Sequence, residues 1–261
     1  MSSATWFGVA TAAGDPDALW ETFHENTKLG PSWTATPALG SAPEPFQLRP
    51  YPRVPLPETT KPWRIRLGGK RRRAETASRL KPGPLTMEQL ATILRFGGGP
   101  RRPSAADDAP VPSIYDSGTT RPLEIFFHTA HVDGLPAGLY HYNPMADDLR
   151  FVQRRDQSHR LAEWLVRGDL ARTAALLLFV VAVPERSTLR WSDRGYRLAL
   201  LEAGAIVRNV NVVAGALGWT CANVLDYFDR SIDEYLGFDG VTVSTVAVVA
   251  VGREDRGSTV P

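Results

Sequence analysis

Apolar residues recur along this chain with two periods, and the switches between them outline its elements. Leu90, Ile93 and Leu94 fall at helical spacing behind Thr86, whose side chain suits the cap position, and Gly97-Gly98-Gly99-Pro100 stops the helix they predict. Residues 123–131 and 138–143 are β-rich and flank the turn sequence Val132-Asp133-Gly134-Leu135-Pro136, with 149–153 extending the same sheet. A helix is predicted over 158–173, then a strand over 175–183 buried on both faces. The span 196–218 lacks proline and carries Leu198, Leu201, Ala205, Val212 and Leu217 with few polar interruptions. A helix so apolar all round belongs in the centre of the molecule or in a subunit interface, held by packing rather than by the propensity of its valines. A short helix over 231–236, capped by Ser231, and a second buried strand over 241–252 close the pattern. This order predicts an α+β fold with a mixed β-sheet flanked by helices, not the strict alternation of a doubly wound domain.

The pattern is absent from residues 31–62, which contain nine prolines and must be extended rather than helical. That stretch divides the chain into an N-terminal segment and arm, 1–62, and a main domain, 63–261. Phe46, Tyr51 and Trp63 would be wasted in a solvated linker, so the arm is expected to lie on the body; a flexible linker is the alternative.

Composition narrows the function classes. With 30 basic and 28 acidic residues the net charge is only +2, too balanced for a nucleic-acid binder. The basic residues cluster locally at Lys70-Arg71-Arg72-Arg73 and Arg101-Arg102, which suits a small anionic ligand. One cysteine, Cys221, excludes an internal disulfide framework and a cysteine-built zinc site. His128 and His131 are three apart but lack nearby carboxylates, so no metal site is expected. The first 23 residues do not read as a signal peptide, and the longest unbroken apolar run, 174–183, is far short of a membrane span. A soluble, cytoplasmic protein is the expectation. The triple glycine at 97–99 is no dinucleotide fingerprint, since no strand precedes it, and neither a phosphate-binding P-loop nor a Gly-x-Ser-x-Gly elbow occurs.

Five strings in order carry a family resemblance. They are His24-Glu25-Asn26-Thr27-Lys28; Ser117-Gly118-Thr119-Thr120-Arg121-Pro122-Leu123-Glu124; Gly134-Leu135-Pro136-Ala137-Gly138-Leu139-Tyr140-His141-Tyr142-Asn143; Arg194-Gly195-Tyr196-Arg197; and the C-terminal pieces Leu236-Gly237-Phe238-Asp239-Gly240 and Val248-Val249-Ala250-Val251-Gly252. Together they resemble the SagB-type dehydrogenase, or azoline-oxidase, branch of the FMN-dependent nitroreductase superfamily. The resemblance implies a dimeric FMN-binding fold with a long buried central helix, and an oxidoreductase that removes two electrons from a peptide-derived substrate in natural-product biosynthesis. Azoline-to-azole oxidation is the first such reaction and residue desaturation the second. It also implies a homodimer with flavin where the subunits meet, and partner biosynthetic enzymes.

Carried onto this chain, the resemblance assigns Arg71, Arg72 or Arg73 to the FMN phosphate, in a family motif stretched here by Ala74-Glu75-Thr76-Ala77. A solvated basic face is the other reading. Ser117 and Gly118 would form a loop that approaches the flat ring closely, and Arg121 would donate to the ring's carbonyl or N1 region. Cys221 and Asn223 match the region passing beside the cofactor, with Asn223 as a ring ligand and Cys221 as a buried small residue rather than a nucleophile.

The departure lies before Gly195. Where azoline-oxidising members carry a Lys-Tyr pair, this chain has Arg190 and Trp191. A guanidinium stays protonated and an indole does not titrate, so Arg190 would orient a substrate carbonyl and Trp191 would stack. Asp193 is the nearby group with base chemistry, unless it merely pairs with Arg194 or Arg197. Those two arginines begin a helix, where cations need an anionic partner; Glu202 and a phosphate are the options. The stretched basic motif and the replaced pair leave a rival open, a flavin-free or catalytically degenerate binding subunit of a peptide-modifying complex. A broad nitroreductase consuming NAD(P)H is a third reading.

Overall fold

The computed structural model describes residues 19–30, 46, 48–59, 79–98 and 121–255. Three strands form the centre of its sheet: β3 (Leu123–Thr129), β6 (Leu176–Ala182) and β8 (Ser244–Glu254). Successive side chains on a strand point to opposite faces. On β6, accordingly, Leu176, Leu178 and Val180 join one apolar cluster while Leu177, Phe179 and Val181 join another. Ile125 and Phe127 part from Phe126 on β3 in the same way, as do Val249 and Val251 from Val248 and Ala250 on β8. Both faces are dry, which is why these strands lack polar alternation.

Outward from β3 lie β4 (Gly138–Asn143), β5 (Asp148–Arg154) and the edge strand β1 (Arg53–Pro55); beyond β8 lie β2 (Leu80–Lys81) and β7 (Thr220–Val224). Every ladder among the described residues is antiparallel, and the parallel pairing comes from an isolated bridge between Leu85 and Val132. The proline-rich arm thus contributes β1, paired only with β5, a place where proline costs no central hydrogen bond.

One face is covered by α6 (Arg194–Ala216) with α2 (Met87–Ile93) beside it; the other is covered by α3 (Ser158–Trp164), α4 (Gly168–Thr173) and α7 (Asp229–Leu236). Thr86 caps α2 as expected, in a reciprocal box: its hydroxyl accepts from the Gln89 amide at 3.2 Å and the Gln89 side chain accepts from the Thr86 amide at 3.2 Å. The helix does not stop at the glycines but loosens into a π-helical turn over Leu94–Gly98. There the missing side chains matter: a Cβ at Gly97 would meet Val210 of α6, and one at Gly98 would meet Ile125.

The structure corrects several expected boundaries. The helix expected over 158–173 is two helices, because Leu165 turns extended (φ −106°, ψ 132°) and bridges Tyr227. The amide of Val166 then donates to the Asp226 carbonyl at 3.0 Å instead of continuing the helix. Helix α7 starts at Asp229, before Ser231, with Phe228 in the cap position, and ends on left-handed Gly237. Strand β8 begins only at Ser244, since the amides of Val241, Thr242 and Val243 all donate to the Asp239 carboxylate. The pattern did not foretell β1, β2, β7 or α5 (Glu185–Trp191), all short.

Helix α6 is long, as expected, but only one side of it is buried in the single chain. Gly195, Ala199, Ala203, Val210, Val213 and Ala214 face the core. Leu201 and Val212, 47% and 42% exposed, lie on the side away from the core, while Tyr196 and Leu200, 37% and 38% exposed, lie at the margin of the buried face.

At its first turn α6 crosses α5 closely. A Cβ on Gly195 would lie 2.5 Å from the carbonyl carbon of Ser187 and 2.6 Å from the Thr188 nitrogen, backbone atoms that have no rotamer to escape into. The Ser187 hydroxyl donates to the Gly195 carbonyl at 2.9 Å across the same contact. Gly195→Ala is therefore expected to destabilise the fold by about 1–3 kcal/mol, the scale of overpacking. Chemical denaturation should show a lowered midpoint with an unchanged slope; an unshifted midpoint would mean that α5 yields freely.

Candidate functional site

An open groove of about 430 Å³ runs between α6 and the β7–β8 edge of the sheet. Leu200, Ala203, Gly204 and Val207 of α6 form one wall, and Val246, Ala247 and Val248 of β8 lie opposite. Asn223 and Val224 of β7, with Leu225 just after it, close the groove. Gly204 leaves open space where another residue would place a Cβ. Mostly apolar walls with few polar groups, at a volume of several hundred Å³, are the usual make-up of a cofactor or small-molecule site. Asn223 supplies an orienting group. Its Oδ1 accepts from Asn211 Nδ2 at 3.0 Å, and Asn211 also donates to the Val207 carbonyl at 2.7 Å, so the Asn223 amide is fixed with its NH2 left as the donor. A planar, largely apolar ring with carbonyl acceptors fits these walls.

Cys221 lies two residues earlier on β7, on the side that joins the core. Burial pushes its thiol up to about 12, so it is a packed small residue with no thiolate to offer.

Arg190 and Trp191 end α5, the guanidinium 5.6 Å from the indole ring centroid, a cation–π pair that holds both side chains. Ser192 (φ 50°) breaks the helix, and Asp193 precedes the first turn of α6, exposed and without a capping hydrogen bond. Asp193 makes no ion pair among the described residues. The arginines expected to claim it point elsewhere: Arg194 donates to the Thr27 carbonyl at 3.1 Å, and Arg197 to the His24 carbonyl at 3.1 Å and the Thr27 hydroxyl. Phe23 packs edge-on against Tyr196. These cations thus meet the carbonyl end of α1 (Leu19–Asn26), where the helix dipole is negative. The short N-terminal motif and the Arg-Gly-Tyr-Arg motif, far apart in sequence, meet here.

Arg121 is not in the groove. Its guanidinium contacts the Met145 sulfur in the β4–β5 turn, and its backbone is left-handed (φ 36°). Its carbonyl accepts from Arg186 Nη1 at 3.1 Å. That same Nη1 lies 2.7 Å from Oε1 of Glu124, while His141 Nε2 is 2.8 Å from Oε2. Glu124 Oε1 also accepts from the Phe46 amide at 2.9 Å. Glu124, Arg186 and His141 are all buried. Burial by itself raises the Glu124 carboxyl, but the His141 hydrogen bond and charge, the Arg186 charge and the Phe46 amide outweigh it and hold the group below its ordinary value.

Arg71, Arg72, Arg73, Ser117 and Gly118 lie outside the described residues. The chain leaving the basic segment does reach the sheet: the Asp255 backbone amide donates to the Arg79 carbonyl at 3.4 Å, and β2 pairs with the end of β8. This pairing brings up Arg253, a cation the sequence reading passed over because it ends an apolar strand. Its guanidinium stacks 3.9 Å from the centroid of buried Trp219 and donates to the Gly218 carbonyl at 3.2 Å. The structure therefore brings together Arg190 with Trp191, and places Asn223 in the groove. Arg121 and Cys221 stay out of it.

Comparison with known proteins agrees with this architecture. The protein MJ1384 of Methanocaldococcus jannaschii, named as a nitroreductase candidate, is 29% identical over 153 residues, 59% of this chain and 75% of its own length. The microcin B17-processing protein McbC of Escherichia coli is 28% identical over 156 residues, 57% of each chain, so the match spans little more than half of that relative. Among solved structures, a nitroreductase candidate from Anabaena variabilis superposes with a TM-score of 0.72 at 21% identity, covering 91% of this chain and 47% of that one. A chain of the E. coli microcin synthetase McbBCD complex, solved with truncated pro-MccB17 bound, superposes with a TM-score of 0.59 at 19% identity, covering 93% and 95%. These likenesses bear out the expected fold. The sequence profile of the Nitroreductase family matches residues 70–253, most of the chain, and the protein belongs to that family.

Proposed function

We propose that this chain is an FMN-dependent oxidase or dehydrogenase acting on a peptide-derived substrate, working as a homodimer beside partner biosynthetic enzymes. The observation that carries the reading is the groove between α6, β7 and β8. It is apolar-walled, of cofactor size, furnished with one fixed amide donor, and lies within the segment matched by the family profile. The likeness to McbC, a microcin B17-processing protein, supports a peptide as substrate.

When bound, FMN supplies a two-electron acceptor, and the protein supplies position and electrostatics. The NH2 of Asn223 would hold the ring in the groove, with the basic run Arg71–Arg73 for the phosphate. Asp193 stands seven residues before Leu200 on the groove wall, about 10 Å along the helix axis at 1.5 Å per residue. It takes the proton that the substrate loses. Arg190 orients a substrate carbonyl and Trp191 gives a flat surface against a ring.

The dimer follows from the outer side of α6. Leu201 and Val212 are exposed on the outer side of α6, and Leu200 and Leu225 of the groove walls are exposed beside them, as is Phe228. An apolar patch of this kind marks an association surface.

Three measurements test the reading. FMN titration, followed by quenching of flavin fluorescence, is expected to show saturable binding at micromolar protein; its absence would favour the flavin-free scaffold instead. Light scattering should give a dimeric mass, with Leu201→Arg shifting it to monomer and weakening FMN binding, because cofactor and association stabilise each other. Asp193→Asn is expected to slow anaerobic flavin reduction by an azoline-containing peptide roughly 10²–10⁴-fold, the scale of general-base loss, with FMN affinity retained. Unchanged reduction would remove Asp193 from the chemistry.

A further inference from the structure

Four chain segments converge on one buried carboxylate, and their function is not explained by the groove. Glu124 from β3 binds Arg186 from the first turn of α5, His141 from β4 and the backbone amide of Phe46 from the arm. The Phe46 ring completes the enclosure, 5.1 Å from the Arg186 guanidinium and stacked at 5.9 Å on Phe238. A buried ion pair is weak evidence of stability, since apolar residues of the same volume often serve as well or better. What such a pair does supply is direction. The guanidinium is a rigid planar fork, so an arginine fixed on a carboxylate has its remaining donors aimed.

We propose that Glu124, Arg186 and His141 form a positioning cluster for the candidate site, holding residue 121 and helix α5 in one register, with Phe46 of the arm as the member that closes it. Arg186 Nη1 bridges Glu124 and the Arg121 carbonyl. Arg121 is left-handed at φ 36°, a conformation that a non-glycine residue keeps only when its surroundings impose it. The next turn of the chain is tied as well, by the Val183 amide donating to the Pro122 carbonyl at 2.7 Å. Arg190 lies one helical turn beyond Arg186 on the same side of α5, so what fixes Arg186 sets where Arg190 and Trp191 project. The functional value of this register rests on the reading of Arg190, Trp191 and Asp193 as substrate-facing groups; the register itself is testable without any flavin.

The test is hydrogen exchange by mass spectrometry on the full-length chain, without added cofactor, comparing the wild type with Glu124→Gln, Arg186→Lys and Phe46→Ala. The amides of Val183, Arg186, Ser187, Thr188 and Ser192 are all hydrogen-bonded and report on α5. In each variant they are expected to exchange at least tenfold faster, while the centres of β3, β6 and β8 stay protected. Lysine is the discriminating change: it keeps the charge, but its ammonium swivels on a flexible stem and lacks the planar fork that directs Nη1 at Glu124 and the Arg121 carbonyl together. An ordinary structural ion pair would be rescued by lysine, and full protection of 183–192 in Arg186→Lys overturns the proposal. So does exchange that rises equally across the sheet, which would mark a general loss of stability. Should Glu124→Gln fail to fold, the other two variants carry the result. FMN titration of the same variants is expected to match the wild type, because the groove walls lie elsewhere. A wild type that binds no flavin would refute the proposed function and leave the exchange result standing.

Discussion

Burial of both faces of β3, β6 and β8 is the constraint from which the rest of the molecule follows. A sheet dry on both sides needs two coverings, and the chain provides them unequally. One face takes a single long helix, α6, whose small residues Gly195, Ala199, Ala203 and Ala214 let it lie close. The other takes three short helices and the aromatic residues around Phe46, Phe126 and Phe238. Close packing of α6 leaves Leu201 and Val212 exposed on its far side, and leaves a groove where the helix parts from β7 and β8. The site therefore lies at the margin of the core rather than in a loop on the surface. Its walls are made by the same residues that hold the fold.

Polar groups are placed against this apolar ground sparingly and in fixed directions. Asn223 is oriented by Asn211, Arg190 by Trp191, and Arg186 by Glu124. In each case a contact with a second side chain limits where the polar atoms point, the kind of support that a preorganised site would need. Asp193 differs, with no described partner and an exposed carboxylate. The grip of α1 on Arg194 and Arg197 keeps these two cations, neighbours of Asp193 in the chain, occupied elsewhere.

Much of the central fold was legible in the sequence because β6 and β8 are unbroken apolar runs and α6 is an uninterrupted helical pattern. The short elements were not. Strand β7 has five residues and α5 seven, too few for a period to declare itself, and their existence depends on partners such as β8 and Gly195. The split between α3 and α4 was hidden for a like reason, since the bonds that end α3 go to residues 226–228. At the site, the family resemblance pointed to Asn223, which lines the groove, and to the Arg190–Trp191 pair. The pairing of Arg253 with Trp219 and the burial of Glu124 were invisible, because each needs the sheet register to bring remote segments together.

The arm shows how such remote segments acquire meaning. Proline at positions 50, 52, 55 and 57 denies this stretch a helix and limits it to an edge, which β1 occupies beside β5. Yet the same extended backbone retains the free amide of Phe46, and an extended chain can present that amide to a buried acceptor. Glu124 is that acceptor, and a carboxylate with three further lone-pair directions can serve His141 and Arg186 at once. An arm with no packing period of its own is thereby joined to the strand, the neighbouring strand and the helix that lead to the candidate site. The proline pattern and the buried charge act together on the described part of the arm: proline keeps residues 50–57 out of a helix, and Glu124 gives the Phe46 amide an acceptor beyond the pairing of β1 with β5.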